Sequence, residues 1–311
     1  MVCQVIATEW SIQPGELAFP LGPPHQYDEA ILVRRAIIRR EMGNKLSPEE
    51  RKRRGWRKAL EDGYVPALRL RRFFRMWPSA PRCGMCMAPF KGIGSVVLKP
   101  LPFTSPSRKN PNWCRVCFED APIGGAEVPT GVLFADMRGY TSYAESRSPA
   151  DVAQHLNRFY STATEVFARH DAVIDKLAGD EVMALWLPGF AGRDQYISKM
   201  LTGAEALLRA VGYGDGGEPW LPLGLGLDAG RAYVGNVGVG AVKDFTALGD
   251  VVNTAARLQS QAKPGQIVMS ERVYESACDR YPGAPAVQLE LKGKSEPVAA
   301  RVIDFAGGSG S

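Results

Sequence analysis

Residues 130–145 read TGVLFADMRGYTSYAE, and the rest of the chain is best understood outward from this stretch. Residues 130–135 are apolar and β-rich, the pattern of a buried strand, which delivers Asp136 at its carboxyl end ahead of a tight turn at Gly139. A carboxylate held there can ligate a metal ion. Further on, VIDKLAGDEVMALWL repeats the device: residues 173–177 and 182–187 form the arms of a hairpin whose tip, Ala178-Gly179-Asp180, presents a second carboxylate. Two acids on adjacent strand ends suit two divalent ions about 3.5–4 Å apart, an arrangement that clamps the attacking and leaving oxygens in phosphoryl transfer.

A third stretch, DFTALGDVVNTAARL at 244–258, supplies what a carboxylate pair lacks. Asn253 and Arg257 stand four residues apart on a predicted helix, hence on one face, where an amide and a guanidinium suit a ribose and a phosphorane. In this order and at these spacings the three stretches resemble the class III nucleotidyl cyclase catalytic domain. The likeness runs from about residue 130 to 305 and takes in LGLDAGRAYVGNVG, PGQIVMSERVYE and LELKGK.

The resemblance implies conversion of a nucleoside triphosphate to its 3′,5′-cyclic monophosphate and pyrophosphate, with Asp136 and Asp180 holding two Mg²⁺ or Mn²⁺ ions. Arg257 then faces the charge that develops on the phosphorane, and Asn253 orients the ribose. The backbone N–H groups of Met137, Arg138, Gly139, Tyr140 and Thr141 face the β and γ phosphates, with Lys292 or Lys294 of LKGK adding a point charge. The family's base-selecting pair falls on Lys176, four residues before Asp180, and Thr246, three before Gly249. A lysine donates to adenine N1 and a threonine oxygen accepts from the 6-amino group, so ATP is the expected substrate and adenylate cyclase, a phosphorus–oxygen lyase, the expected activity. Many relatives carry Asp at the position of Thr246.

Family members build two composite sites across a head-to-tail pair, which implies a homodimer. The alternatives are a guanylate or pyrimidine nucleotide cyclase of the same fold, or a non-catalytic nucleotide sensor or adaptor. AGDEV also resembles the GGDEF turn of diguanylate cyclases, but those lack the Asn-x-x-x-Arg helix and LKGK.

Upstream, Cys83-x-x-Cys86 and Cys114-x-x-Cys117 form a four-thiolate set with twenty-seven residues between the pairs. Such knuckles suit tetrahedral zinc, with an iron–sulfur cluster as the alternative. The expected organisation is a basic helical arm over 1–80, a zinc ribbon-like module over 81–120, a linker over 121–129 (APIGGAEVP), the catalytic domain over 130–306 and a flexible tail over 307–311. In the arm, residues 27–40 have helical periodicity. Ser47-Pro48-Glu49-Glu50 is a capping box opening a helix to about Asp62, and Pro66 and Pro78 bracket a third helix. Residues 31–76 hold fifteen Lys or Arg against five Asp or Glu, so the formal charge of +5 hides a basic arm on an acidic remainder. The arm's partner is open among a regulator, an anionic membrane and a nucleic acid, beside the plainer reading that its aromatics pack on the next module and its charges form a solvated face.

In the catalytic half a helix is expected from Pro149 with the stripe Val152, Leu156, Phe159, Ala163 and Phe167, and another over about 194–211. LGLGLD and RAYVGN read as a strand pair, FTAL and GQIVMS as strands, ERVYESACD as a helix, and residues 286–305 as a closing hairpin. This predicts an α+β, ferredoxin-like sheet with helices on one face. No apolar run approaches the ~18 residues of a membrane helix, and the first residues lack a basic, then apolar leader, so a cytoplasmic protein with reduced thiols is expected.

Overall fold

The computed structural model describes residues 46–63, 65–77, 81–83, 86–106, 114–118, 123–214, 218–239, 242–290 and 297–306. The helix expected over 27–40, Lys292, Lys294 and the tail fall outside these residues.

The strands are β1 Gly124–Met137, β2 Val173–Ala178, β3 Glu181–Trp186, β4 Leu223–Val239, β5 Val242–Leu248, β6 Gln266–Ser270, β7 Ala286–Leu289 and β8 Val298–Asp304. They form one sheet in the order β2-β3-β1-β4-β6-β8-β7, with β5 on β4. Only β4 and β6 run parallel; the other pairs are antiparallel.

Two expectations about the strands change. The stretch read as a linker over 121–129 is strand from Gly124 onward, because β1 pairs with β4 from Gly124↔Asn236 through to Met137↔Leu223 and buries Ala126 and Val128. LGLGLD and RAYVGN are not a strand pair but parts of β4, which runs straight through Asp228-Ala229-Gly230 against the full length of β1. Its far end turns back into β5, from Tyr233↔Leu248 to Val239↔Val242.

The helices are α1 Pro48–Lys58, α2 Val65–Arg75, α3 Gly92–Val97, α4 Arg115–Phe118, α5 Tyr140–Glu145, α6 Pro149–Arg169, α7 Pro188–Ala191, α8 Tyr196–Ala210, α9 Asp250–Gln261 and α10 Glu271–Tyr274. The Ser47 capping box forms as read: its hydroxyl accepts from the Glu50 N–H at 3.2 Å, and the Glu50 carboxylate accepts from the Ser47 N–H at 2.7 Å. A π-helical turn, Ala59–Gly63, carries α1 to its end.

Alternation along β1 splits the core into two layers. Leu133, Ala135 and Met137 face α6 and α8, meeting Phe159, Phe167, Met200 and Leu207. Val128, Val132 and Phe134 face the other way, toward Val251 and Ala255 of α9. Helices thus cover both faces, not one. The close seat of α9 on β4 depends on Gly226, where a Cβ would lie 2.1 Å from the Gln259 nitrogen.

The second face is completed by the N-terminal half. Trp56, Leu60 and Phe74 are buried in the same core as Val128 and Val132, and the Trp56 ring lies 6.4 Å from that of Phe245. Docking also needs Gly189 in α7, since a Cβ there would come within 2.7 Å of the Ala59 carbonyl oxygen. Buried Arg71 pairs with Asp171 at 3.3 Å, and Lys199 reaches the same carboxylate at 2.8 Å. Phe74 packs on Phe103 of the following segment, 5.7 Å between rings, while Arg53, Arg54, Arg57 and Lys58 stay exposed.

Candidate functional site

Asp136, one residue before the end of β1, lies directly opposite Glu181 of β3, so both side chains leave one face of the sheet at the same end. The Met137 N–H donates to the Asp180 carbonyl at 3.1 Å, which ties the hairpin tip to β1 and brings the two predicted acids to one edge. Burial pushes the Asp136 carboxyl above its usual range; the Arg138 guanidinium, 3.4 Å away, opposes this, and the charge of Asp180 adds to it. Glu181 is raised too, first by burial and then by Asp136 and Asp180. A divalent cation would relieve the acid–acid repulsion, and one or two carboxylates with waters and substrate phosphates are the usual Mg²⁺ donor set, so the residues fit the ions.

The turn from Met137 to Thr141 is only partly available for phosphate. Two of its expected donors are spent inside the protein: the Met137 N–H on Asp180, and the Arg138 N–H on the Pro222 carbonyl at 2.8 Å. Anchoring the turn to both neighbouring chain segments consumes them. Gly139, in the left-handed region at φ 74°, then opens α5, and the N–H groups of Gly139, Tyr140 and Thr141 remain.

Lys176 and Thr246 are brought together from β2 and β5 by an irregularity that sequence reading missed. The β2–β3 register shifts between Ile174 and Lys176. Such a bulge sets two successive residues against one partner, so Asp175 and Lys176 both turn toward β5. Lys176 Nζ lies 4.0 Å from Asp244, and the Thr246 hydroxyl donates to the Asp175 carboxylate at 2.9 Å. Asp175 is 3% exposed, and burial pushes its carboxyl up to about 7 against the pull of Thr246 and Lys176. The available signal is an acid beside Lys176 in a strand whose other residues are apolar.

On α9, Asn253 is exposed and Arg257 half-buried. Among the described residues the Arg257 guanidinium has no ion-pair partner, and the cation beside Asp136 is Arg138 instead. One chain therefore gathers the acids at one edge and sets Lys176 and Thr246 beside Asp175 and β5, and among the described residues it does not pair Arg257 with the acids.

The four cysteines converge. The sulfurs of Cys83, Cys86, Cys114 and Cys117 all lie within 4.8 Å of one another, with Cys86 and Cys114 at 3.7 Å. A tetrahedral ion with metal–sulfur bonds of about 2.3 Å sets its ligands about 3.8 Å apart, so the set fits one ion. The Cys114 N–H donates to the Cys83 sulfur at 3.1 Å and the Cys117 N–H to the Cys114 sulfur at 3.4 Å, bonds that stabilise and orient thiolates around a metal. No helix among the described residues is long and apolar enough to cross a membrane.

Comparison with known proteins finds matches over the sheet and the helices that pack on it. The family model described as the adenylate and guanylate cyclase catalytic domain matches residues 127–301. An uncharacterized protein of Mycobacterium tuberculosis is 30% identical over 189 residues, which cover 58% of this chain and 33% of the relative. A second protein of that organism is 31% identical over 183 residues, 57% of this chain and 31% of its own. The chain thus spans about a third of the length of these curated relatives. Among solved structures, the adenylyl cyclase CyaB from P. aeruginosa matches with a TM-score of 0.50 and 26% identity, over 59% of this chain and 98% of that one. The guanylyl cyclase Cya2 matches with a TM-score of 0.51 and 28% identity, over 60% and 96%.

Proposed function

Because the chain belongs to the adenylate and guanylate cyclase catalytic-domain family, we propose that it converts ATP to 3′,5′-cyclic AMP and pyrophosphate at composite sites of a homodimer. Asp136 and Asp180 would hold two Mg²⁺ or Mn²⁺ ions, which supply the charge that eases loss of the ribose 3′-hydroxyl proton and neutralises the leaving pyrophosphate. Asn253 orients the ribose so that the 3′ oxygen lies in line with the α-phosphorus. Arg257 meets the charge on the equatorial oxygens as the new P–O bond forms and the bond to the β-phosphate breaks. The N–H groups of Gly139, Tyr140 and Thr141 face the outer phosphates, with Lys292 or Lys294 as a further cation. Lys176 donates to adenine N1 and Thr246 accepts from the 6-amino group.

The observation that carries this reading is the separation within one chain: the acids gather at the end of β1, while Arg257 stands on α9 with no acid partner among the described residues. A second copy that docks its α9 over the acids completes the set. The four-cysteine site is read as structural zinc, because its sulfurs are too close together for a cluster that seats each cysteine on a different iron. None of the described cysteines is joined in a disulfide, in keeping with a reducing cytoplasm.

Incubation with ATP, GTP, CTP or UTP and Mn²⁺ or Mg²⁺, with products separated by mass, tests the assignment. Cyclic AMP alone is expected; a guanine or pyrimidine product overturns the base-reading roles, and no product favours a nucleotide sensor. Mixing inactive D136A and R257A chains should restore part of the activity, and no recovery argues against shared sites.

A further inference from the structure

We infer that Asp175 is a specificity-setting residue that acts through Thr246: it takes the Thr246 hydroxyl proton into a hydrogen bond and leaves the threonine oxygen as an acceptor for the nucleotide base. This rests on the base-reading pair proposed above.

The geometry fixes the direction of the bond. Asp175 Oδ2 receives the Thr246 hydroxyl at 2.9 Å and also faces the Ala247 N–H at 3.4 Å. A backbone N–H can only donate, so Oδ2 is held as an acceptor, and a proton taken up by the carboxyl goes to Oδ1, which has no partner among the described residues. Thr246 is buried, and its one hydrogen is committed inward. What it offers a base is lone pairs alone.

That orientation carries information. The adenine edge presents the 6-amino donor beside the N1 acceptor, whereas guanine presents the O6 acceptor beside an N1 donor. An acceptor at Thr246 with a donor at Lys176 matches adenine at both atoms and opposes guanine at both. A free threonine hydroxyl would rotate to donate to O6 and tolerate either base. The β2 bulge makes the arrangement possible, since a regular strand would send Asp175 and Lys176 to opposite faces. Threonine supplies a weaker acceptor than aspartate at this position, and Asp175 compensates by removing its alternative role.

The test is the ratio of kcat/KM for ATP to that for GTP, measured on the full chain with Mn²⁺. Each ratio comes from one preparation, so a loss of folded protein cancels. T246V and D175A should each lower the ratio about tenfold or more, the usual consequence of losing an oriented buried hydrogen bond. D175N should keep it, because the amide oxygen replaces Oδ2 as acceptor. The double variant D175A/T246V should fall no further than T246V, since Asp175 acts only through the hydroxyl. If D175A fails to fold, D175S, too short to hold Thr246, should give the same fall. A ratio unchanged in D175A or D175S but lowered in T246V overturns the inference and leaves the base-reading pair standing. A ratio unchanged in T246V overturns both.

Discussion

The two faces of the central sheet are covered in different ways. One is closed by α6 and α8, whose Phe159, Phe167, Met200 and Leu207 come from the catalytic sequence itself. The other is shared between α9 and the N-terminal half, so that Trp56, Leu60 and Phe74 finish a core begun by Val128, Val132 and Phe134. The first face is scaffold. The second is also the face on which the proposed chemistry falls, since α9 carries Asn253 and Arg257, and Trp56 packs beside Phe245, the neighbour of Thr246. The described part of the N-terminal half is therefore part of the cover over β5, and we propose that its four-cysteine site, read as structural zinc, helps hold that cover together. Short helices without a sheet of their own bury too little to be stable alone, whereas the zinc proposed for the four cysteines would contribute on the order of 10 kcal/mol.

The strongest way to break this asymmetry is to strip the cysteine site, by chelation or with C83S/C114S. The N-terminal half should lose most of that ~10 kcal/mol and uncover the second face. Hydrogen exchange should show α1 and α2 losing protection while α6 and α8 keep theirs, together with dye binding to newly exposed apolar surface. Equal loss on both faces would show that the two layers are one cooperative unit.

A smaller effect is expected at Asp175, on the second face. Its carboxyl is raised from 3.8 to about 7 in the folded state, so the native protein binds the extra proton between those values and stability falls as pH rises through that window. D175N lacks the titration. Its stability advantage over the parent should grow from about pH 4 to about pH 7 and then level off, at roughly 4 kcal/mol or less. Urea titrations at several pH values check this, and a difference flat with pH would place the Asp175 carboxyl in a better-solvated setting.

R257A separates chemistry from cover. Arg257 lies on the same helix as buried Val251 and Ala255 but is itself half-buried with no ion pair among the described residues, so the melting temperature should barely move. The turnover number should fall 10²–10³-fold, about 3 kcal/mol of transition-state stabilisation. A matching loss of thermal stability would make the guanidinium part of the packing instead.

Much of this is legible in the residues. The strand–turn pattern around Asp136, the hairpin tip at Asp180 and the Asn253–Arg257 spacing are local periodicities, and each forms where the chain places it. Twin CxxC pairs likewise announce a site, because such spacing has few other uses. Asp175 is not legible: its importance lies in a register shift and in a partner seventy-one residues away. The fate of the Met137 and Arg138 N–H groups is hidden for a similar reason, since their partners Asp180 and Pro222 belong to other strands' surroundings.

The sequence by itself determined the family, the order of the motifs and the identity of the chemical groups, because these depend on residue type and short-range spacing. Only the tertiary structure decided that β1 begins at Gly124, that β4 runs unbroken beside it, and that the N-terminal half covers the α9 face. The physical reason is that strand pairing and burial are settled between segments far apart in the chain, where the free energy of a side chain depends on which partner finally excludes water from it.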